Sequence, residues 1–379
     1  MEAVSAARTL FLFIGRVWRP FLLHSAIVLL SAWLSDAFPS HSPAGFVNPY
    51  LGDTPPLANL FLKWDAHWYT YIAAQGYDAK SVVFFPVLIV FIRIVACLGL
   101  SHAVAGLLVC NLFTLLSFAV MHAAFRQDFS DRFTDKALLA YAVMPTSFFL
   151  NSVYTEPIFL TFALACVYFA RRGDWWSAGS CAALATLTRN LGVFLFFFVA
   201  YELYLSRKVV GRPTWELLSP FLAPAALLGY MGFNAFFCGD SLAFVHSQQA
   251  WGRYFAWPPE SYIRNLGLLG SFWPNTQAGI SLDAFLVLAG FAGLSYATIF
   301  SRHIPGSYLL IGWLWFLIPL FSTSSFLPLY SMSRFLLVVF PLYVFYAGMP
   351  KALFTCFLVV NALLLSLCTI MFVNWYWIG

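Results

Sequence analysis

Charged side chains are scarce in this sequence: Asp, Glu, Lys and Arg make up 9% of its 379 residues, where an average soluble domain has about a quarter. With 61% hydrophobic residues and a mean hydropathy of +0.81, the chain is neither a soluble globular domain nor a disordered one. Strand alternation of the outer-membrane kind is absent. The 7 cysteines follow no disulfide or metal spacing. Cys97, Cys110, Cys166, Cys181, Cys356 and Cys368 fall in apolar stretches, where a free thiol behaves as a small hydrophobe. No Walker A, GxGxxG, HExxH or DxD sequence occurs, and no His/carboxylate pair stands at ligand spacing. ATP-driven transport and zinc proteolysis lose their support, no cofactor is implied, and a divalent cation has no ligand motif to hold it. The formal charge of +5 sits in short inter-helix loops, so membrane topology explains it and nucleic acid need not be invoked.

Long apolar runs and Phe (42 residues) dominate instead, and they predict an all-α polytopic membrane protein. The first run, 17–34, follows Arg8, Arg16 and Arg19 and lacks a small-residue cleavage site, so it reads as a signal anchor. Further spans are expected at 103–124, 137–153, 156–170, 174–188, 190–205, 216–237, 281–300, 306–322, 335–349 and 352–373, about eleven in all.

The run at 82–100 decides the topology. Left out of the count, with the N-terminus cytoplasmic, it puts Arg8, Arg16, Arg19, Arg126, Arg132, Lys136, Arg171, Arg172, Arg207, Lys208, Arg212, Arg302 and Lys351 on the cytoplasmic side. Lys63, Lys80, Arg93, Arg189, Arg253, Arg264 and Arg334 remain on the other. Counting it as a span inverts the loops around Arg126–Lys136, 171–172 and 207–212, against the positive-inside rule. It is therefore expected as a re-entrant or surface-lying helix on the exoplasmic side. The whole of 1–379 then reads as one integral membrane domain. Its polar sequence gathers in exoplasmic loops at 35–102 and 238–280, with shorter ones near 150–156, 189 and 322–334.

Five polar clusters stand out there. Lys63-Trp64-Asp65-Ala66-His67-Trp68-Tyr69 places an acid, an imidazole and an ammonium among aromatics. Asp65 reads as a general base beside a sugar hydroxyl or as a helix cap in an aromatic belt. In Pro145–Pro157, which includes Tyr154, Glu156 reads as an acid facing a cavity or as a favourable charge at a helix N-terminus. Arg189 sits on the side where basic residues are rare and needs an anionic partner, which Glu156, another external carboxylate or a lipid phosphate can supply. His246-Ser247-Gln248-Gln249-Ala250-Trp251-Gly252-Arg253 offers amide hydrogen bonds and a stacking face for sugar, or is an ordinary amphipathic loop helix. Arg334 in Ser333-Arg334-Phe335 grips a phosphate or snorkels to the interface.

In their order, these motifs resemble the PIG-V-like mannosyltransferases of the GT-C glycosyltransferase superfamily. The pieces are Trp64-Asp65 with Tyr71-Ile72-Ala73 and Gly76-Tyr77, then Phe84-Phe85-Pro86 and the Pro145 to Glu156 segment. Thr188-Arg189-Asn190, Gln249-Ala250-Trp251 and Ser333-Arg334-Phe335 follow, so the resemblance runs from about residue 60 to 345. It implies a GT-C-type fold of about eleven transmembrane helices with juxtamembrane helices in the first exoplasmic loop. It also implies transfer of a hexose, in the best-known members mannose, from a polyprenyl-phosphate sugar to a lipid-linked acceptor. The chain is compact and lacks long luminal insertions, so it resembles a bacterial or archaeal member acting at the plasma (inner) membrane; the acceptor stays open.

On that reading Asp65 is the general base of an inverting displacement. Arg334, Arg189 and Lys63 face the donor phosphate, and Trp64, His67, Tyr154, Glu156, His246, Gln248, Gln249 and Trp251 hold sugar or acceptor. Two alternatives come from other classes. A flippase for a polyprenyl-linked glycan needs charges within its spans, and a non-catalytic scaffold would tolerate loss of Asp65.

Overall fold

Backbone in hydrocarbon must satisfy its own N–H and C=O groups, and a helix does so within one segment. The computed structural model describes residues 2–43, 45–51, 54–209, 214–270, 276–301 and 303–379, apart from the side chains of 2–14, 207–209, 214, 250 and 251. Arg212 and Arg302 of the charge argument, and the side chains of Arg8, Arg207, Lys208 and Trp251, lie outside the described residues.

The chain is an all-α, multi-pass membrane protein. After α1 (Glu2–Leu34), the first long loop holds α2 (Pro56–Leu60), α3 (Asp65–Gln75) and α4 (Pro86–Ala96). Then α5 (His102–Phe125), α6 (Asp131–Ala142), α7 (Glu156–Arg171), α8 (Trp175–Thr188), α9 (Leu195–Val209) and α10 (Leu222–Cys238) follow in succession. The second long loop carries α11 (Ala243–His246), β1 (Arg253–Phe255) and α12 (Pro258–Gly267). It leads into α13 (Gln277–Phe300), α14 (Gly306–Leu320), β2 (Ser322–Ser324), α15 (Met332–Leu337), α16 (Pro341–Ala347) and α17 (Lys351–Val373).

Among the described residues, 5 helical stretches are long and apolar enough to cross a bilayer: Gly15–Ala37, His102–Phe125, Trp215–Cys238, Gln277–Phe300 and Lys351–Val373. Two of the expected spans are not single helices. The 137–153 run holds only the end of α6, which stops at Ala142 shortly before Pro145, and a 3-10 turn at Ser147–Leu150 continues the chain. Proline disfavours helix in the residue before it and cannot donate to the preceding turn. The 335–349 run is divided between α15 and α16, and Pro341 starts the second piece. The run at 82–100 yields α4, whose 11 residues reach about 16 Å. That is half of a ~30 Å hydrocarbon core, and α4 packs beside α3, α5 and α8.

Apolar and polar surfaces are distributed as lipid requires. Leu228 and Phe236 of α10, Phe285 and Ile299 of α13, and Leu353 and Leu363 of α17 are exposed, and faces of this kind meet lipid rather than water. Polar groups turn inward. His24 of α1 bridges the Ala142 carbonyl (2.9 Å) and Asn151 Oδ1 (2.7 Å), and Asn151 donates to Asn111 of α5 at 2.8 Å. His24 thus ties α1, α5 and the 145–155 segment together in the core. That segment is buried throughout 151–155 and feeds the central helix α7. α7 carries Glu156 at its first residue and Arg171 at its last, as its dipole favours. Arg171 is held by Asp128 (2.9 Å) and Glu202 at one end of the bundle.

Candidate active site

The site is built where helix ends meet. Asp65 is the first residue of α3, yet its side chain makes no capping hydrogen bond. Trp64 before it stands at φ +52°, ψ −115°, a conformation that costs an aromatic residue energy and persists only when its surroundings enforce it. Tyr154 enforces it: its hydroxyl donates to the Lys63 carbonyl (3.2 Å) and accepts the Asp65 N–H (3.3 Å). The Asp65 carboxylate is thereby turned to Arg334, whose Nη1 donates to Oδ2 at 2.7 Å. Oδ1 makes no hydrogen bond among the described residues, and the residue lines a cavity.

Glu156, first in α7 and fully buried, makes no capping bond either. Its Oε1 pairs with Arg189, and Arg334 Nε lies 3.2 Å away. The Arg334 contact is Coulombic rather than an aligned hydrogen bond, and Oε2 has no hydrogen-bond partner among the described residues. Arg189 leaves α8 in an extended conformation (φ −152°). The tight turn that follows needs Gly192, where a Cβ would stand 2.3 Å from the Thr186 nitrogen.

Asp65, Arg189, His246, Gln248, Gln249 and Arg334 line one cavity of about 520 Å³. The segments around 65–69, 155, 188–191, 245–255 and 318–335 all reach it, so all five loops that charge counting put on one side converge there. β1 pairs antiparallel with β2, Arg253 opposite Ser324, and so joins the second long loop to the 322–334 loop. Three guanidiniums surround Phe335: Arg189 at 5.0 Å from the ring centre, Arg334 at 5.7 Å and Arg253 at 6.0 Å. Arg253 also lies 4.4 Å over Tyr330 and donates to Gln248 Oε1 at 3.4 Å. Among the described residues no carboxylate stands within ion-pair distance of Arg253.

Other expected site residues lie elsewhere. Tyr154 and Glu156 sit behind the cavity wall, holding the groups that line it. Lys63, Trp64 and His67 do not line the cavity; they back α3 against the C-terminal segment. Trp64 meets Trp375 and Trp377 edge-on at 5.5 and 5.0 Å. His67 stacks on Trp375 at 5.7 Å, and Lys63 Nζ lies 4.8 Å over the same ring. Burial lowers the Lys63 pKa to about 8. Burial, then the Lys63 charge, lowers that of His67 to about 4. His246 is exposed and its Nδ1 is 2.7 Å from Asp240. The Trp251 side chain is outside the described residues.

Sequence reasoning passed over Tyr330 and Trp375, and it quoted Tyr69 and Arg253 within the 63–69 and 246–253 clusters without giving either a role of its own. The signals for Arg253 were its place at the end of that second cluster and its charge on the side poor in Lys and Arg. Among the described residues no three His, Cys, Asp or Glu side chains form a group fit for a metal ion.

Residues 3–208 match the family described as mannosyltransferase (PIG-V). The match takes in Asp65, Glu156 and Arg189 and ends before Arg253 and Arg334. Among solved structures, the oligosaccharyltransferase of Archaeoglobus fulgidus, tethered to an acceptor peptide, is similar over 94% of this chain and 55% of its own, with 14% identity and a TM-score of 0.40. The chain therefore spans about half the length of that protein. No curated protein sequence matches it.

Proposed function

The chain belongs to the PIG-V mannosyltransferase family, within the GT-C superfamily, and on that premise we propose that it moves a hexose, mannose first among them, from a polyprenyl-phosphate sugar to a hydroxyl of a lipid-linked acceptor. The reaction takes place on the exoplasmic face of a fold of about eleven spans, in a single membrane domain. The observation that carries this reading is the cavity in which one carboxylate with a free oxygen, Asp65, faces three guanidiniums.

The acceptor hydroxyl attacks the anomeric carbon from the side opposite the phosphate. Its O–H proton passes to Asp65 Oδ1, the new C1–O bond forms as the C1–O(phosphate) bond breaks, and polyprenyl phosphate departs with the bonding pair. A single displacement inverts C1. Arg334 orients Asp65 through Oδ2, leaving Oδ1 for the proton. Negative charge grows on the departing phosphate, and cations fixed beforehand stabilise it most in the transition state. Arg189 and Arg334 are already partly compensated by Glu156 and Asp65, whereas Arg253 has no carboxylate at ion-pair distance among the described residues. Gln248, Gln249 and His246 stand on the wall where sugar or acceptor hydroxyls are held.

The test is transfer of label from radiolabelled polyprenyl-phosphate mannose to a lipid extract of the source organism by the purified protein in detergent. New labelled lipid that disappears with Asp65→Asn is the expected result. Transfer from another polyprenyl-phosphate sugar alone would keep the mechanism and discard mannose. No transfer from any donor would overturn the proposal.

A further inference from the structure

Asp283 is the only charged residue in the 24-residue helix α13 and is 3% exposed. An ionisable group inside a membrane-spanning helix is costly and is kept for a specific partner. Here the partner is main chain. Asp283 Oδ1 accepts the Ser333 N–H at 2.7 Å, one of the donors that the start of α15 leaves without an intrahelical acceptor. From the other side, the Thr146 hydroxyl donates to the Ser333 carbonyl at 3.0 Å. Thr146 and Ser333 are fully buried. The chain enters this helix through Ser331 at φ +63°, a left-handed conformation that a non-glycine residue holds only under constraint. α15 has 6 residues, too few to be stable by itself.

We propose that Asp283 and Thr146 are positioning residues: they hold the N–H and the C=O of Ser333, in the two peptide groups that flank it, and thereby aim the next residue, Arg334, at Asp65 and Glu156. This assigns work to an acid that the cavity does not use and to the Pro145-Thr146 step of the sequence motif. Its kinetic arm rests on the transferase reading above; its chemical arm does not.

The variants separate hydrogen bonding from charge and bulk. Asp283→Asn and Thr146→Ser keep an acceptor and a donor; Asp283→Ala removes one, and Thr146→Val removes the other at nearly constant shape. Donor kcat and KM are measured alongside the rate at which phenylglyoxal modifies Arg334, read by peptide mass. With Asp283→Ala or Thr146→Val, kcat should fall about 10-fold or more, the scale of a misplaced reacting group, and Arg334 should become several-fold more reactive. Asp283→Asn and Thr146→Ser should behave as wild type in both readouts. If Asp283→Ala does not fold, Thr146→Val decides. Unchanged kcat and reactivity in the removing variants would overturn the clamp, as would an Asp283→Asn protein as impaired as Asp283→Ala. Should the wild type transfer from no donor, the transferase reading fails while the Arg334 reactivities still judge the clamp.

Discussion

Arg334 and Asp65 are 269 residues apart in sequence and 2.7 Å apart in space. The same guanidinium lies 3.2 Å from buried Glu156, so one side chain joins the first long loop, the start of the central helix and the 322–334 loop. An ion pair of this kind sets geometry more than it adds stability, since desolvation offsets much of the attraction. The order it imposes is what a displacement reaction requires: a carboxylate with one oxygen fixed and the other free.

Asp65→Asn retains a carbonyl oxygen for Arg334 and so should keep the fold. Turnover should fall by about 10²-fold or more, the scale of a lost general base. Single-turnover transfer from labelled donor, with the thermal midpoint as a control, measures both. A near-wild-type rate would remove Asp65 from the base role.

Glu156→Gln leaves Arg189 buried without its counter-charge. Removing one partner of a buried pair costs roughly 3–5 kcal/mol, and the thermal midpoint should drop accordingly. Glu156→Gln combined with Arg189→Gln should be less destabilised than the sum of the single variants. Strict additivity would mean that the pair is not coupled.

Arg253→Gln should raise the KM for the donor and leave the KM for the acceptor nearly unchanged, because the charge removed is the one with no carboxylate beside it. Thermal stability should change little. Equal effects on both substrates would place Arg253 away from the phosphate.

His67 makes stability pH-dependent. Its pKa is about 4 in the folded protein against an ordinary value of 6.5, so the unfolded chain binds more protons between those values. Stability is fully present above pH 6.5 and declines as pH falls toward 4. His67→Phe keeps the stack on Trp375 and should flatten part of that slope, seen as a smaller drop in thermal midpoint between about pH 7 and pH 4.5. Parallel curves for the two proteins would count against a neutral, buried His67.

Much of the architecture was readable from local pattern. Apolar run length gives membrane helices because each must satisfy its own backbone, and the asymmetry of Arg and Lys sorts loops by side without knowledge of contacts. The same reasoning keeps 82–100 from spanning, and the helix found there, α4, has 11 residues. It failed at 137–153 and 335–349, where apolar content continues but Pro145 and Pro341 divide the helix: hydropathy averages over a window, whereas helix continuity depends on single residues. Residue chemistry likewise marked Asp65, Glu156, Arg189 and Arg334 as out of place near lipid.

Partners were another matter. Nothing local says that Arg189 and Arg334 share Glu156, that Lys63 and His67 turn to Trp375 rather than to the cavity, or that Asp283 holds Ser333. The sequence by itself determined the membrane class and the residues whose charge needed an explanation, since these follow from burial costs and short-range periodicity. Only the tertiary structure decided which charges meet, because a pairing across hundreds of residues depends on how helices pack, and packing is a property of surfaces assembled from the whole chain.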